Sequence, residues 1–570
     1  MTLLVELPPD VGTVGHDVGA SHVWAIALCA LFVGVTLAVT FRVGGTTKRA
    51  VDFYAAGRGF GSTQNGLALT GAYLSAASFL GIAGMIALWG YDGFRYSIGF
   101  LVAWMLVLPL AQLMRNTGRF TMADIPAFRA RQTRVRLACT ASTVTVSVLY
   151  LLAQMVGVGA LVTLLVGVHQ GGTFLGMAAP QAETAAIVLV GVLMIVYVMY
   201  GGMKAATWLQ IIKAVLLLAG SALMAFLVLG LFGFNVGDLL ASAADASGKG
   251  QAFLEPGARF GGDVAGDPAQ SLINRLDLIS LVLGLVLGTV ALPHILVRFY
   301  TVPDGRAARA SANRAIMLIG VFYLMTLVLG FGAAALVGPE RIAAQDPGGN
   351  TAVPQLAEEI GSLVAGPVGG AVLLALVSAV ALAAILAVAA SLTLASSSSI
   401  AHDLFGHVLM WGRPKESQEL AVARLSAAAI GAVAIVLAIQ ARDLNVAFLV
   451  GLAFSVAAAA NLPVIVFSLF WRRFNASGVE WGVYGGLGAS LLLMLFSPVM
   501  SGKVHPETGE NLSLLPEWVD IQLFPLEHPG LVAIPIGFLC AVIGTLRSDE
   551  RSTDRYRELR VRSLTGTGAA

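Results

Sequence analysis

Apolar residues run through this chain in blocks of about twenty, separated by shorter polar stretches. Twenty mainly apolar residues is the length at which one helix crosses a bilayer. Thirteen such helices are predicted, at 22–41, 65–89, 95–114, 137–168, 184–203, 206–234, 273–297, 314–338, 366–400, 420–440, 445–470, 481–499 and 530–547. The segment before the first block holds Glu6, Asp10 and Asp17 and neither Lys nor Arg. It therefore lacks the basic start of a secretory signal, and the first block is too long for a signal's apolar core.

Composition strengthens this reading. Of 570 residues 57% are hydrophobic and 12% charged, and mean hydropathy is +0.83. Soluble proteins carry about 25% charge. The 65 glycines and 16 methionines suit packed membrane helices. A net charge of +2 gives no field for nucleic acid. Cys29, Cys139 and Cys540 lie in apolar stretches and read as small core residues, not a disulfide framework.

The placement of Lys and Arg gives an orientation. With the N-terminus outside, 26 of the 34 fall on the inner side of the alternation and 7 on the outer side, and Lys213 is left within a span. Thirteen crossings then put the C-terminus inside. The expected divisions are an outer segment 1–21, a first helix and inner loop 22–64, a five-helix unit 65–234, a second five-helix unit 273–470, two accessory helices 481–547 and an inner tail 548–570. The outer loops 235–272, 339–365 and 500–529 are rich in Gly, Pro and acids and are expected to be ordered only where they touch the bundle. No stretch has room for a nucleotide-binding or phosphorylated domain, so active transport would have to draw on an ion gradient. Paired carboxylates, a metal cluster or a nucleophile beside a base are not visible, so the chain does not read as an enzyme.

Two successive units of five helices enter the membrane from opposite sides, which is the condition for an inverted repeat whose site lies at broken helices near the midplane. The first helix of each unit is the place to look. In 65–81, Gly71, Ser75 and Ser78 put small and hydroxyl groups at mid-span. In 281–294, Gly288 and Pro293 bracket a break. Unwound backbone offers carbonyls to a cation, and half-helix N-termini offer N–H groups to an anion. The same residues would also serve close helix packing.

At these positions the sequence resembles the sodium/solute symporter family, and within it the cation/acetate branch. The resembling segments include Asp52–Arg58, Gln64–Leu80, Tyr91–Phe94, Tyr150–Gly157, Tyr200–Lys213 and Leu292–Asp304. The resemblance spans about residues 50–475. It implies an all-α LeuT-like core of two inverted five-helix repeats with one helix before and two after. It also implies cation-driven import of acetate and related short monocarboxylates such as propionate or pyruvate, with Na+ or H+ as coupling ion and no organic cofactor.

By the same resemblance, a sodium site would use the carbonyls of Gly71 and Leu74 and two hydroxyls on the eighth core helix. Those hydroxyl positions fall here on Ala387 and Val388, which have no side-chain oxygen, and the nearest hydroxyls are Ser391 and Thr393. The acid often found after the tryptophan of the fifth core helix is Gln210, after Trp208. A hard cation wants five or six oxygens, so two carbonyls are too few. Lys213, about one turn beyond Gln210, lies in an apolar run where a lysine costs roughly 2.5–3.5 kcal/mol. Its amine either stands in for sodium and carries a proton, or snorkels toward the inner surface, since Lys204 is only nine residues away.

The substrate carboxylate is expected at the two breaks, with Ser75, Ser78 and Thr289 as donors. Tyr73 and Tyr150 either gate this site or pack. Gln154 either lines the pathway or bridges helices. His294 either binds or titrates, or packs at the inner mouth. The serine run 396–399 reads as back-bonded packing, and Arg298 and Arg306 as inner-surface anchors. A symporter of another small solute such as an amino acid, a non-transporting nutrient sensor and a passive channel are the alternatives. The short tail argues against the sensor.

Overall fold

The computed structural model describes residues 18–44, 50–130, 132–165, 173–174, 177–261, 267–442, 444–503, 511, 513–550 and 553–568. The expected segment 1–21 lies almost entirely outside them. Apart from a two-residue hairpin, Thr173–Phe174 with Met177–Ala178, the described chain is helical. Among the described residues nine helices are long and apolar enough to cross a membrane, and a bent pair, Ser62–Tyr73 and Ala77–Trp89, at 63°, is so when taken together. Every predicted block falls on helix to within a few residues.

Two predicted blocks share one helix, Ala179–Leu231. At 1.5 Å per residue its 53 residues would run about 80 Å, far beyond a hydrocarbon core of about 30 Å. Gly202 divides it with φ 59° and ψ −170°, a conformation open to glycine because it has no Cβ. The helix Ala352–Ser398 is likewise interrupted at Ala365–Gly366, with buried residues on both sides of the interruption.

Polar side chains gather into two rims. At one, Arg115 donates to the carbonyls of Val302 and Pro303, both at 2.7 Å. Arg129 donates to the carbonyls of Ser468, Trp471 and Arg472, and Arg136 binds both Asp124 and Asp403. At the other, Asp92 accepts from the amides of Gly257, Arg259 and Phe260, Glu527 pairs with Arg259 and Lys503, and His528 meets Asp277. The expected loops carry structure of their own. Val236–Ala246 is a helix capped by Asn235, and the tail helix Thr553–Thr565 docks on Asn116 through Ser563 and Arg562. Cys139 is buried and Cys540 half-buried.

The innermost helices position the site. Ser62–Tyr73 packs on Ala179–Leu231, which packs on Ala352–Ser398, while Val446–Phe470 is buried almost throughout.

Candidate functional site

The first broken helix ends at Tyr73, and Leu74 is extended (φ −69°, ψ 101°). Helix resumes in a π-turn, Ala77–Gly81, and continues through Ile82–Trp89. The carbonyl of Gly71 would bond the amide of residue 75, which lies past the end of the helix, so it is an orphan acceptor. Lys213 Nζ fills that position, donating to the Gly71 carbonyl at 2.6 Å. Lys213 is 2% exposed, so it does not snorkel. Glycine at 71 is required by this approach, because a Cβ there would overlap the backbone carbonyl of Gln210. The side chain of Ala387, at an expected hydroxyl position, lines the same small cavity as Lys213, together with Leu209, Ile212, Ala383 and Leu386.

The second break falls where Gly288 and Pro293 bracket it. Helix ends at Thr289 and restarts at Pro293. The freed carbonyl of Ala291 accepts from Asn461 Nδ2 at 2.9 Å, and Asn461 in turn accepts from Ser142. The breaks touch each other. The Tyr73 hydroxyl lies 3.2 Å from the Thr289 hydroxyl and donates to the Phe100 carbonyl at 3.0 Å. Gln154 Oε1 accepts from the Ala76 amide at 3.3 Å, capping the second half-helix from another span, so it bridges helices.

Around this junction the walls are aromatic. Tyr73 meets Phe100 and Trp104 edge-on, Phe100 stacks on Tyr323, and Tyr150 stands edge-on to His294 and Phe454. Within these walls Gln154 Nε2 and both ring nitrogens of His294 are buried without a hydrogen-bond partner, and Ser75 Oγ has the Tyr150 hydroxyl beside it. Buried polar atoms are nearly always paired, so unpaired ones converging on one place suit a polar ligand. Ser78 points elsewhere, to the Tyr323 hydroxyl at 3.1 Å.

Toward the rim that holds Arg115 a third group forms. Ser391 Oγ accepts from Gln210 Nε2 at 2.7 Å and from Arg298 at 2.8 Å. Gln210 also donates to the Ala387 carbonyl at 2.7 Å, and Arg298 to Thr207 Oγ1 at 2.7 Å. Arg298 is 1% exposed, so it is not the surface anchor expected. It lies on the turn that follows the second break, which carries it inward, whereas Arg306 is exposed as anticipated. The serine run largely back-bonds. Ser396 and Ser397 donate to carbonyls of their own helix, and Ser399 donates to Asp403.

The expected residues thus fall into two neighbouring groups. Tyr73, Ser75, Gln154, Thr289 and His294 gather at the breaks. Gly71, Gln210, Lys213 and Ser391 form a connected group beside the first break, and Leu74 is the extended residue of that break and stands apart from their hydrogen bonds. Sequence reasoning missed Arg298, Asn461, Phe100 and Tyr323. The usable signal for Arg298 was its place five residues past the helix-breaking Pro293.

The chain matches the sodium:solute symporter family over residues 53–486. It is 46% identical over 555 residues to a monocarboxylic acid transporter of Corynebacterium glutamicum, covering 95% of each chain. It is 45% identical over 545 residues to the uncharacterized symporter YwcA of Bacillus subtilis, covering 95% of this chain and 98% of that one. Among solved structures, a Na+-coupled sialic acid symporter in a substrate-bound outward-open state superimposes with TM-score 0.65 at 16% identity, over 92% of this chain and 98% of the other. MhsT in complex with L-phenylalanine superimposes with TM-score 0.51 at 14% identity, over 86% and 98%. These last two likenesses concern the fold, which is the LeuT fold.

Proposed function

This chain belongs to the sodium:solute symporter family, and we propose that within it the protein imports acetate and related short monocarboxylates, such as propionate and pyruvate, coupled to a proton. It is a multi-pass membrane symporter and not an enzyme. The substrate reading is supported by the relative named a monocarboxylic acid transporter. It is also supported by tight aromatic walls with few polar atoms, which suit a small anion with an apolar tail. The carboxylate would sit at the breaks on half-helix N–H groups, with Ser75 and Thr289 as donors and Tyr73, Gln154 and His294 lining it, while Ser78, turned to the Tyr323 hydroxyl, takes no part. Thirteen crossings with the N-terminus outside and the C-terminus inside, divided at the repeat boundaries 65–234 and 273–470, fit the two rims.

One observation carries the proton reading, the bond from Lys213 Nζ to the Gly71 carbonyl. A sodium ion at Gly71, Leu74 and Ser391 would have to displace that amine. It would also face a hydroxyl that already accepts from Gln210 and a guanidinium. An amine that gains and loses a proton needs no such shell of oxygens.

The test is uptake of labelled pyruvate into proteoliposomes under an imposed pH gradient or an imposed sodium gradient, with protein-free vesicles subtracted. Pyruvate is chosen because so little of it is in the neutral, membrane-permeant form at neutral pH. Accumulation with the pH gradient alone is expected. Accumulation with sodium alone would overturn proton coupling, and accumulation with neither would overturn the substrate.

A further inference from the structure

Arg298 and Lys213 are two buried basic groups with no carboxylate paired to either among the described residues. Lys213 meets a neutral carbonyl, and Arg298 meets two neutral hydroxyls, Thr207 and Ser391. Arg298 Nε has no partner at all, nor does either ring nitrogen of His294, nor Gln210 Oε1. The other three buried arginines, Arg115, Arg129 and Arg136, each cap a row of carbonyls or pair with aspartates. A guanidinium stays protonated in proteins, so at least one buried positive charge here lacks a counter-charge. Isolated buried charges are costly, and in transporters they mark the path of substrate or ion.

We propose that Arg298, with Lys213, forms an anion subsite between the helix breaks and the rim that holds Arg115, and that the substrate's own carboxylate is its missing counter-ion. This rests on the monocarboxylate reading and deepens it. The position is fixed by neighbours. Thr207 lies three residues past Lys204, Arg298 lies four residues before the Val302 carbonyl held by Arg115, and Lys213 lies at the first break. A carboxylate leaving the breaks inward meets the guanidinium's unpaired Nε–H edge, whose fork matches two oxygens. Its negative charge beside Lys213 favours the protonated amine, so anion and proton arrive together. The charged or titratable groups facing Lys213 are Arg298, His294 and Tyr197, and none is acidic at neutral pH. The substrate therefore supplies the negative charge that this pocket lacks.

The test uses the purified full-length protein in weakly buffered detergent, read by propionate binding and by a pH-indicator dye. The wild type is expected to bind propionate and to take up protons as it does so. Arg298→Gln is expected to bind propionate about tenfold or more weakly, with proton uptake falling in step. Arg298→Lys, which keeps the charge but loses the fork, is expected to fall between them, and it is the variant read if Arg298→Gln does not yield folded protein. A purely structural arginine would change the melting temperature but not proton uptake per bound propionate or propionate affinity, and that result would overturn the subsite while leaving the monocarboxylate reading intact. Chloride that competes with propionate and evokes the same proton uptake would also overturn it. A wild type that binds no propionate, acetate or pyruvate would instead overturn the monocarboxylate reading beneath it.

Discussion

Replacing Lys213 by methionine removes the amine and nearly preserves the volume. In the folded protein this leaves the Gly71 carbonyl without its donor, because the amide that would otherwise bond it lies beyond the helix end. An unpaired buried acceptor costs about 1–3 kcal/mol. Against this, the variant removes a buried basic group that has no carboxylate paired to it, so the net change in stability is small. The change in coupling is large. One proton carried with each monoanion converts a pH difference of one unit into about 1.4 kcal/mol, a tenfold accumulation. The assay is accumulation of labelled pyruvate at steady state in proteoliposomes with the interior one pH unit above the exterior, corrected for protein-free vesicles. Wild type is expected to approach tenfold. Lys213→Met is expected to equilibrate pyruvate to a ratio near one while melting within a few degrees of wild type. Tenfold accumulation by Lys213→Met would refute the assignment of the proton to this amine.

Three further outcomes follow from particular contacts. Gly71→Ala places a methyl group against the Gln210 backbone, and overpacking of this kind costs about 1–3 kcal/mol, so a lower melting temperature and loss of pyruvate accumulation are expected; unchanged melting would show that the two helices separate freely. Asp403→Asn leaves Arg136 with only Asp124 in a buried site, and breaking a buried pair costs about 3–5 kcal/mol, to be read as a fall in melting temperature; a change worth under about 1 kcal/mol would mean that Asp124 alone balances the arginine. Asp346, outside the spans, has its carboxyl pushed up to about 6 by burial, partly opposed by the amides of Gly348 and Asn350. A raised carboxyl binds its proton more tightly folded than unfolded, so stability is greatest below about pH 4 and declines by roughly 3 kcal/mol as pH rises through 6; melting scans across that range should show the decline in wild type and its absence in Asp346→Asn.

How much of this was legible depends on what each signal measures. Block length in apolar residues reports helices directly, and all thirteen blocks lie on helix to within a few residues. Pro293 marks the second break because a ring without an N–H cannot continue the ladder, and the helix does stop at Thr289. The first break carries no proline. Gly71 and Ser75 only permit it, and what holds it open is tertiary: Gln154 on the Ala76 amide and Lys213 on the Gly71 carbonyl, from two other spans. Lys213 stood out because its neighbours in sequence are apolar. Arg298 did not, because a basic residue near the end of a span reads as an anchor. Counting Lys and Arg reports the side of the membrane, not exposure. Arg115, Arg129, Arg136 and Arg298 all count inward, yet all are buried, three of them holding carbonyls or aspartates of neighbouring helices.

That burial bears on how such a transporter could be driven. A sodium ion couples by leaving its site on the inner side, but a tethered amine cannot leave. Under the proton reading Lys213 completes a cycle only by changing charge in place, protonated while the site faces outward and neutral after release. The Gly71 carbonyl can accept from either form, so the break need not reorganise when the proton departs. What must change is the field around the amine, and the strongest fixed charge near it is Arg298. With the carboxylate between them both cations are balanced. Once the carboxylate leaves, Arg298 repels the ammonium at close range, and the proton follows. One tethered group then sets one proton per monoanion, an electroneutral symport, so a 100 mV potential should leave accumulation unchanged, whereas each extra cation would add about 2.3 kcal/mol. Pyruvate accumulation that rises about fifty-fold when a potassium diffusion potential of that size is imposed would contradict a single tethered carrier.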